Sequence, residues 1–368
     1  MRIIKYIFLL LLLGIIGISV YVATQKGSFD VTDSTIINVK KSVLFNYVND
    51  YKNWEDWSAW KDDDPSMVFK YPENTVGQNA YYNWSGEQGD GKMTTFYVKV
   101  NDSIAQNISY GENESKSYIS FKDTLGKTKI TWRYKGTLNF MAKVYATFNG
   151  GVGQMMASMT ERSLNNLNKV IIKEINTFDI KVDGIVQKPA LFYIKKTTTC
   201  KTKEVENRLL IMLPQLINFF KKNNIKMYGS PFVIYESTDF ANNTTAFSVC
   251  GPLREEIFFS AESDISTGKR EAFSALKTTL YGDYSNKNKA KNKANTYLNE
   301  NNLRENTSAD RIEIFIKSAS DVRYPSKWIT ELLIPLPTST PKTAAAITNQ
   351  PITNTQITLE EEKRQTTK

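Results

Sequence analysis

The chain has 368 residues, 41% of them hydrophobic and 12% aromatic, which is enough apolar side chain for two domain cores and too much for wholesale disorder. It has no histidine and only two cysteines, Cys200 and Cys250, which removes Ser-His-Asp and Cys-His nucleophiles, most zinc and non-haem iron sites and any disulfide scaffold. The net charge of +9 comes from lysines scattered among asparagines, without an arginine cluster or winged helix, so nucleic acid is not an expected partner.

Ile7 to Val22 is almost unbroken apolar sequence, preceded by Arg2 and Lys5. With Tyr6 and Ala23 it reaches about the length that crosses a bilayer. The exit, Val20-Tyr21-Val22-Ala23-Thr24, lacks a small-x-small cleavage site, and no cysteine lies nearby for lipidation. Residues 1–27 are therefore expected to stay as a single-pass anchor that meets the membrane through residues 7–23; a cleaved signal peptide is the alternative. The basic N-terminus places that end in the cytoplasm and the remainder on the outer side, although Lys26 reduces the asymmetry.

Residues 31–40 alternate as a strand, and Val43, Leu44, Tyr47 and Val48 follow at helical spacing. An aromatic loop then carries Trp54, Trp57 and Trp60. Strands are expected over Ala80–Trp84, Lys92–Val100, Ser117–Phe121 and Lys127–Leu138, separated by Gly/Asn/Asp turns. Gly150–Ile175 changes to a helical period. This is the pattern of an α+β unit over 28–176, a curled antiparallel sheet around a long C-terminal helix. Asp62-Asp63-Asp64-Pro65 lacks the glycine and glutamate spacing of a calcium loop, and no metal or organic cofactor is expected.

A second pattern occupies 182–336. A strand over Gly184–Thr198, a helix over Val205–Asn223 and strands over Pro231–Glu236 and Thr244–Val249 are followed by the same order again. The repeat is a strand over Glu271–Leu280, a helix over Lys287–Asn301 and strands over Arg311–Lys317 and Ile329–Leu336. Lys287, Lys289, Lys291 and Lys293 read as a solvated helix face. Cys200 and Cys250 fall at strand ends, too far apart in expectation to pair, so two free thiols are expected. From Pro337 the chain is rich in Thr, Pro, Ala and Gln, and 337–368 reads as a disordered tail.

The first unit resembles the START-like (SRPBCC, polyketide cyclase-like) helix-grip superfamily. The resemblance rests on Ile36-Ile37-Asn38 through Phe45, Trp54-Glu55-Asp56-Trp57-Ser58-Ala59-Trp60, Gly77, Trp84-Ser85-Gly86, Thr131-Trp132 and the long helix. It implies a deep apolar cavity and no universal catalytic residue. The second unit resembles the GyrI-like small-molecule-binding domain, also found as the effector-binding half of AraC-type and MerR-type regulators. Its carriers are Tyr281-Gly282-Asp283-Tyr284, Asp310–Ile316 and Trp328–Pro335. That resemblance implies a central pocket with a buried glutamate, matched by Glu313, and a second acidic position, matched by Glu331. Some members of that family bind lipophilic cations, and others hydrolyse small electrophiles such as cyclopropanoids. No DNA-binding segment precedes the unit here.

Strand alternation isolates Glu313 from Ile312 and Ile314, and Glu331 opens the last strand. Tyr193, Tyr235, Phe247, Phe273, Tyr281 and Trp328 are the candidate ring walls. The leading expectation is a membrane-anchored protein with two hydrophobic pockets, the second favouring cations through Glu313, its partner a small hydrophobic or cationic ligand. One alternative is a hydrolase in which Glu313, with Glu331, activates water. Another is an envelope stress or interaction module with vestigial pockets. The oligomeric state is left open.

Overall fold

The computed structural model describes residues 2–87, 89–111, 113–258 and 264–337; from 338 onward the expected tail lies outside them. The chain is α+β, with an N-terminal apolar helix and two antiparallel sheets. Helix α1 (Arg2–Thr24) is long and apolar enough between Ile3 and Thr24 to cross a membrane. Nearly all its side chains are exposed, but Val22 is fully buried where the helix meets the body.

The first half runs β1 (Ser28–Ile37), α2 (Lys41–Asn49), a 3-10 turn (Tyr51–Asp56), α3 (Ala59–Asp63), β2 (Val68–Lys70), β3 (Tyr81–Ser85), β4 (Gly91–Lys99), β5 (Ser103–Tyr110), β6 (Asn113–Thr124), β7 (Lys127–Thr137), α4 (Phe140–Phe148) and α5 (Val152–Asn176). The strands form one sheet in the order β1-β7-β6-β5-β4-β3-β2. Met159, Leu164, Leu167 and Ile171 of α5 pack into the same core as the sheet. Strand β5 escapes the sequence pattern because its buried positions include Gln106. That side chain accepts from Ser117 Oγ (2.8 Å) and donates to Tyr51 Oη (3.2 Å), a polar pair in place of the apolar alternation. The interior is filled by rings: Trp54, Trp57 and Trp132 are at most 1% exposed, with Trp54 and Trp57 centroids 4.5 Å apart.

Only Thr177 and Phe178 separate α5 from the second half. It comprises β8 (Asp179–Lys188), β9 (Leu191–Lys201), α6 (Val205–Lys222), β10 (Phe232–Asp239), β11 (Thr244–Leu253), β12 (Ser266–Arg270), β13 (Phe273–Tyr281), α7 (Lys287–Glu300), β14 (Ile312–Lys317) and β15 (Ile329–Pro335). The single strand expected over Gly184–Thr198 is two strands, broken at Pro189, which has no N–H to give to a ladder.

The sheet order is β12-β9-β11-β10-β14-β15-β13-β8, so the repeat is visible as two strand trios meeting at β10 and β14. Residues 189–190 join β8 to β9 across six strand intervals, roughly 29 Å in a flat sheet, yet such a link reaches only about 10 Å. Residues 271–272 make the same crossing from β12 to β13. The sheet must therefore curl until its edges approach each other. Tyr193, Phe232, Ile234, Cys250, Ile312 and Leu333 form a buried cluster on one face. Helices α6 and α7 cover the other, with Leu209, Leu213 and Leu216 of α6 against Val233, Phe247 and Val249, and Ala290 of α7 against Leu280 and Leu332.

Both cysteines are free and buried. Cys200 is opposite Thr245 in the β9–β11 ladder while Cys250 is opposite Lys195, five residues along, roughly 17 Å apart. They also belong to clusters on opposite faces, so no rotamer brings the sulfurs together.

Candidate functional site

Strand β14 lies inside the second sheet, between β10 and β15, and Glu313 stands opposite Val233 on one side and Leu332 on the other. Alternation turns Ile312 into the curled face and Glu313 to the face beneath the helices, where it is 2% exposed. A lone carboxylate there would be expensive. It is not alone. Its Oε2 accepts from Lys287 Nζ (2.9 Å) and Tyr235 Oη (2.8 Å), and Lys291 Nζ lies 3.0 Å from Oε1.

The two lysines arrive by helix geometry. Positions 287 and 291 are one turn apart at the start of α7 and share a face, whereas Lys289 sits over the Phe178 ring and Lys293 donates to the Ile180 carbonyl. The start of α7 is fixed by the preceding Tyr281–Tyr284 turn. Asp283 Oδ1 accepts from Ser285 N (2.8 Å), and Asn286 Nδ2 donates to the Ile175 carbonyl (2.9 Å). Gly282 is needed here: its φ is +129°, and a Cβ would lie 2.6 Å from Phe178 Cβ.

Burial opposes the charge on Glu313, but Lys287 and then Lys291 override it and hold the carboxyl at about 2. Burial likewise opposes the charge on Lys287, and Glu313 overcomes it, so the ammonium is held above its ordinary value. The Tyr235 hydroxyl is pushed up by burial and then by the Glu313 charge. The group is thus a fully ionised carboxylate bracketed by two ammonium groups, with one net positive charge. Lys291, whose side chain is 32% exposed, faces the opening and also lies 5.0 Å over the Tyr235 ring.

A half-open cavity of about 1180 Å³ adjoins this group. Its basic wall is Lys40, Lys201, Lys203, Lys287 and Lys291, with Arg311 already paired to Glu305 (2.6 Å), against Glu204, Glu206 and Glu313; Val205, Ala294 and Ile334 supply apolar surface. Lys40 and Ser42 come from the first half, so the cavity is closed by both halves.

The expected residues are only partly gathered here. Tyr235 and Phe247 share the face of Glu313, and Trp328 packs in the same core with its ring 4.6 Å from Tyr284. Tyr193 and Phe273 pack on the opposite face, and Tyr281 is 39% exposed at the end of β13. Glu331 is not a partner of Glu313. It stands opposite Ile314, one residue out of step, and so points to the other face, where it binds Lys277 (2.9 Å) and Lys188 (3.1 Å). Glu313, expected to favour a cationic ligand, is already paired with two lysines of this chain, and the expected solvated lysine face buries Lys287 at 4% exposure. Lys287 and Lys291 are the residues that sequence reasoning missed. Their signal was the i, i+4 spacing directly after the Tyr281–Tyr284 turn, beside a strand carboxylate that needed a cation.

No protein-family model matches the sequence, and no curated protein matches it. Among solved structures, the EcmrR C-terminal domain is similar over 44% of this chain and 98% of its own, at 15% identity and a TM-score of 0.35. Protein CV1439 from Chromobacterium violaceum is similar over 39% of this chain and 96% of its own, at 9% identity and TM-score 0.31. SAV2435, solved bound to tetraphenylphosphonium, is similar over 44% and 94%, at 11% identity and TM-score 0.31. At such identities and scores none of them assigns a residue role to this chain.

Proposed function

We propose that this protein is a membrane-anchored small-molecule-binding protein, with α1 in the bilayer, its N-terminus cytoplasmic and the folded body on the outer side. Ligand enters the cavity between α6, α7 and the start of α2. We assign that cavity a small amphiphilic anion, a carboxylate or phosphate with an apolar body, rather than a lipophilic cation. The observation that carries this is the double pairing of Glu313. Its charge is already balanced by Lys287 and Lys291, and Lys291 fills the space over Tyr235 where a cation would bind ring and carboxylate together. What faces an incoming ligand is a basic wall.

The same geometry disfavours the hydrolase reading. A general base works best with a pKa near the operating pH, and Glu313 is held at about 2. The second carboxylate is on the far face of the sheet. We read the first half, with its ring-filled interior, as a wall of this cavity rather than as a second pocket.

Calorimetry on the full chain in detergent, with alkyl phosphates and alkyl carboxylates beside tetraphenylphosphonium, tests the assignment. The anions are expected to bind, and Lys291→Met to weaken them about tenfold, or ~1.4 kcal/mol, the scale of one charge-assisted hydrogen bond. Tighter binding of the phosphonium than of either anion would overturn it.

A further inference from the structure

Helix α4 is amphipathic the wrong way round for a water-facing element. Phe140, Met141, Val144, Tyr145 and Phe148 share an arc of about 140° at 100° per residue. Four of them point outward: Phe140 is 46% exposed, Met141 71%, Tyr145 64% and Phe148 67%. The face turned to the protein carries the small residue Ala146, 2% exposed, within the first-half core. A soluble helix places its rings inward and its small or polar residues outward; here the large apolar groups form one contiguous exposed patch.

The position of that patch names its occupant. The last turn of α1 is seated against α4: Lys143 Nζ donates to the Ala23 carbonyl (3.2 Å), and Leu138 N donates to the Gly27 carbonyl (2.9 Å) just beyond. Gly27 has no Cβ, which would otherwise lie 2.8 Å from Lys143 Cδ. The apolar stretch Ile3–Thr24 is about 33 Å long at 1.5 Å per residue, close to the ~30 Å hydrocarbon thickness. A helix that enters the bilayer at one end therefore leaves it near Ala23, at the level where α4 lies.

We propose that α4 is an interfacial membrane helix, lying flat on the bilayer with Phe140, Met141, Tyr145 and Phe148 among the acyl chains and Lys143 reaching back to the headgroup level. The partner is the lipid surface itself. Side chains of this kind, aromatic and Met on one face with a lysine at the boundary, are those of monotopic anchors. Together α1 and α4 fix the tilt of the folded body on the membrane, which one flexible span would leave free. The proposal rests on α1 being a membrane span.

The test is photolabelling of the full chain in phosphatidylcholine–phosphatidylglycerol liposomes that contain a phosphatidylcholine with an acyl-chain diazirine, with labelled peptides mapped by mass spectrometry. Label is expected on α1 and on residues 140–148. In Met141→Asp/Tyr145→Asp the α1 label should persist and the α4 label fall to background, with thermal melting unchanged because both side chains are exposed. Labelled α1 with unlabelled α4 overturns the proposal and keeps the anchor; if Lys143 then cross-links to a second copy, the patch is a protein interface. Absence of label on α1 as well overturns both.

Discussion

Glu313→Gln keeps the shape of the buried group and removes the charge that balances Lys287. In the folded chain the carboxyl is held at about 2 against an ordinary 4.5. At ~1.4 kcal/mol per tenfold in proton affinity, that difference is roughly 3 kcal/mol of stability at neutral pH. The same contact raises Lys287, so it is counted once. Removal of one partner from a buried pair costs about 3–5 kcal/mol, in agreement. For a unit of this size, about 2–4 °C of melting temperature accompanies each kcal/mol, so Glu313→Gln should melt roughly 6–12 °C below the parent at pH 7. Because the folded value is depressed, the contribution is complete above about 4.5 and disappears as pH falls through about 2. The gap between parent and variant should thus be constant from pH 8 to about 5 and close below that. Glu313→Leu/Lys287→Met, which removes both charges, should recover most of the loss. Circular-dichroism melts of the full chain in detergent compare the parent with both variants. A single variant that melts with the parent at pH 7, or a gap that widens in acid, would refute the reasoning.

Three further outcomes follow from single contacts. Leu125 and Gly126 form the two-residue turn between β6 and β7, with φ of +54° and +80°, and Leu125 is 99% exposed; Leu125→Asn should raise stability by about 0.5–1 kcal/mol in the same melts, since asparagine adopts that conformation at lower cost than leucine. Cys250 is buried and its thiol is pushed well above its ordinary value by burial, while Cys200 is raised for the same reason, so neither should react with Ellman's reagent until denaturant is added, when two thiols should titrate. Arg323 donates to Asp56 Oδ1 (2.7 Å) and to the Lys52 carbonyl across the two halves; Arg323→Met should cost about 1–2 kcal/mol, and much less when Asp56→Asn is already present, a double-mutant cycle that measures the link.

The elements that strict periodicity marks were legible in the sequence. The apolar run of α1, the helical period of α5 and the repeated strand-helix-strand-strand order each depend on local pattern and reappear in the structure. What was not legible depends on groups far apart in the chain. The period of β5 is broken by Gln106, which is tolerable only because Ser117 and Tyr51 satisfy it from other elements. The hidden position of Glu313 followed from alternation, but its partners sit 22 and 26 residues earlier on a helix whose composition looks like a solvated face. Charge density alone cannot separate Lys287, which is buried, from Lys289, which lies over a ring at the surface; the packing of α7 over β13 and β8, with Ala290 against Ile180, Leu280 and Leu332, decides it. Glu331 failed for the opposite reason. Its place in a motif suggested a shared site, and a one-residue difference in register sends it to the other face.

The joint between the halves bears on why they occur in one chain. Two residues link α5 to β8, too few for an independent swing. Asn46 of α2 donates to Asn207 of α6 (3.0 Å), Glu174 of α5 accepts from Ser326 N (3.0 Å), and Asn286 holds the carbonyl of Ile175. These contacts place the start of α2 at the mouth of the cavity, where Lys40 and Ser42 join its wall. They also fix Asn286, and so the register of Lys287 against Glu313. A change in the tilt of α5 would therefore be felt at the ammonium–carboxylate group without any ligand contact. Since the first half also carries α1 and α4, the proposed membrane contact would reach the cavity through packed elements rather than through a linker. Under the proposed function, that arrangement would set the cavity at a fixed distance from the lipid surface, with Lys40 and Ser42 of the first half joining its wall.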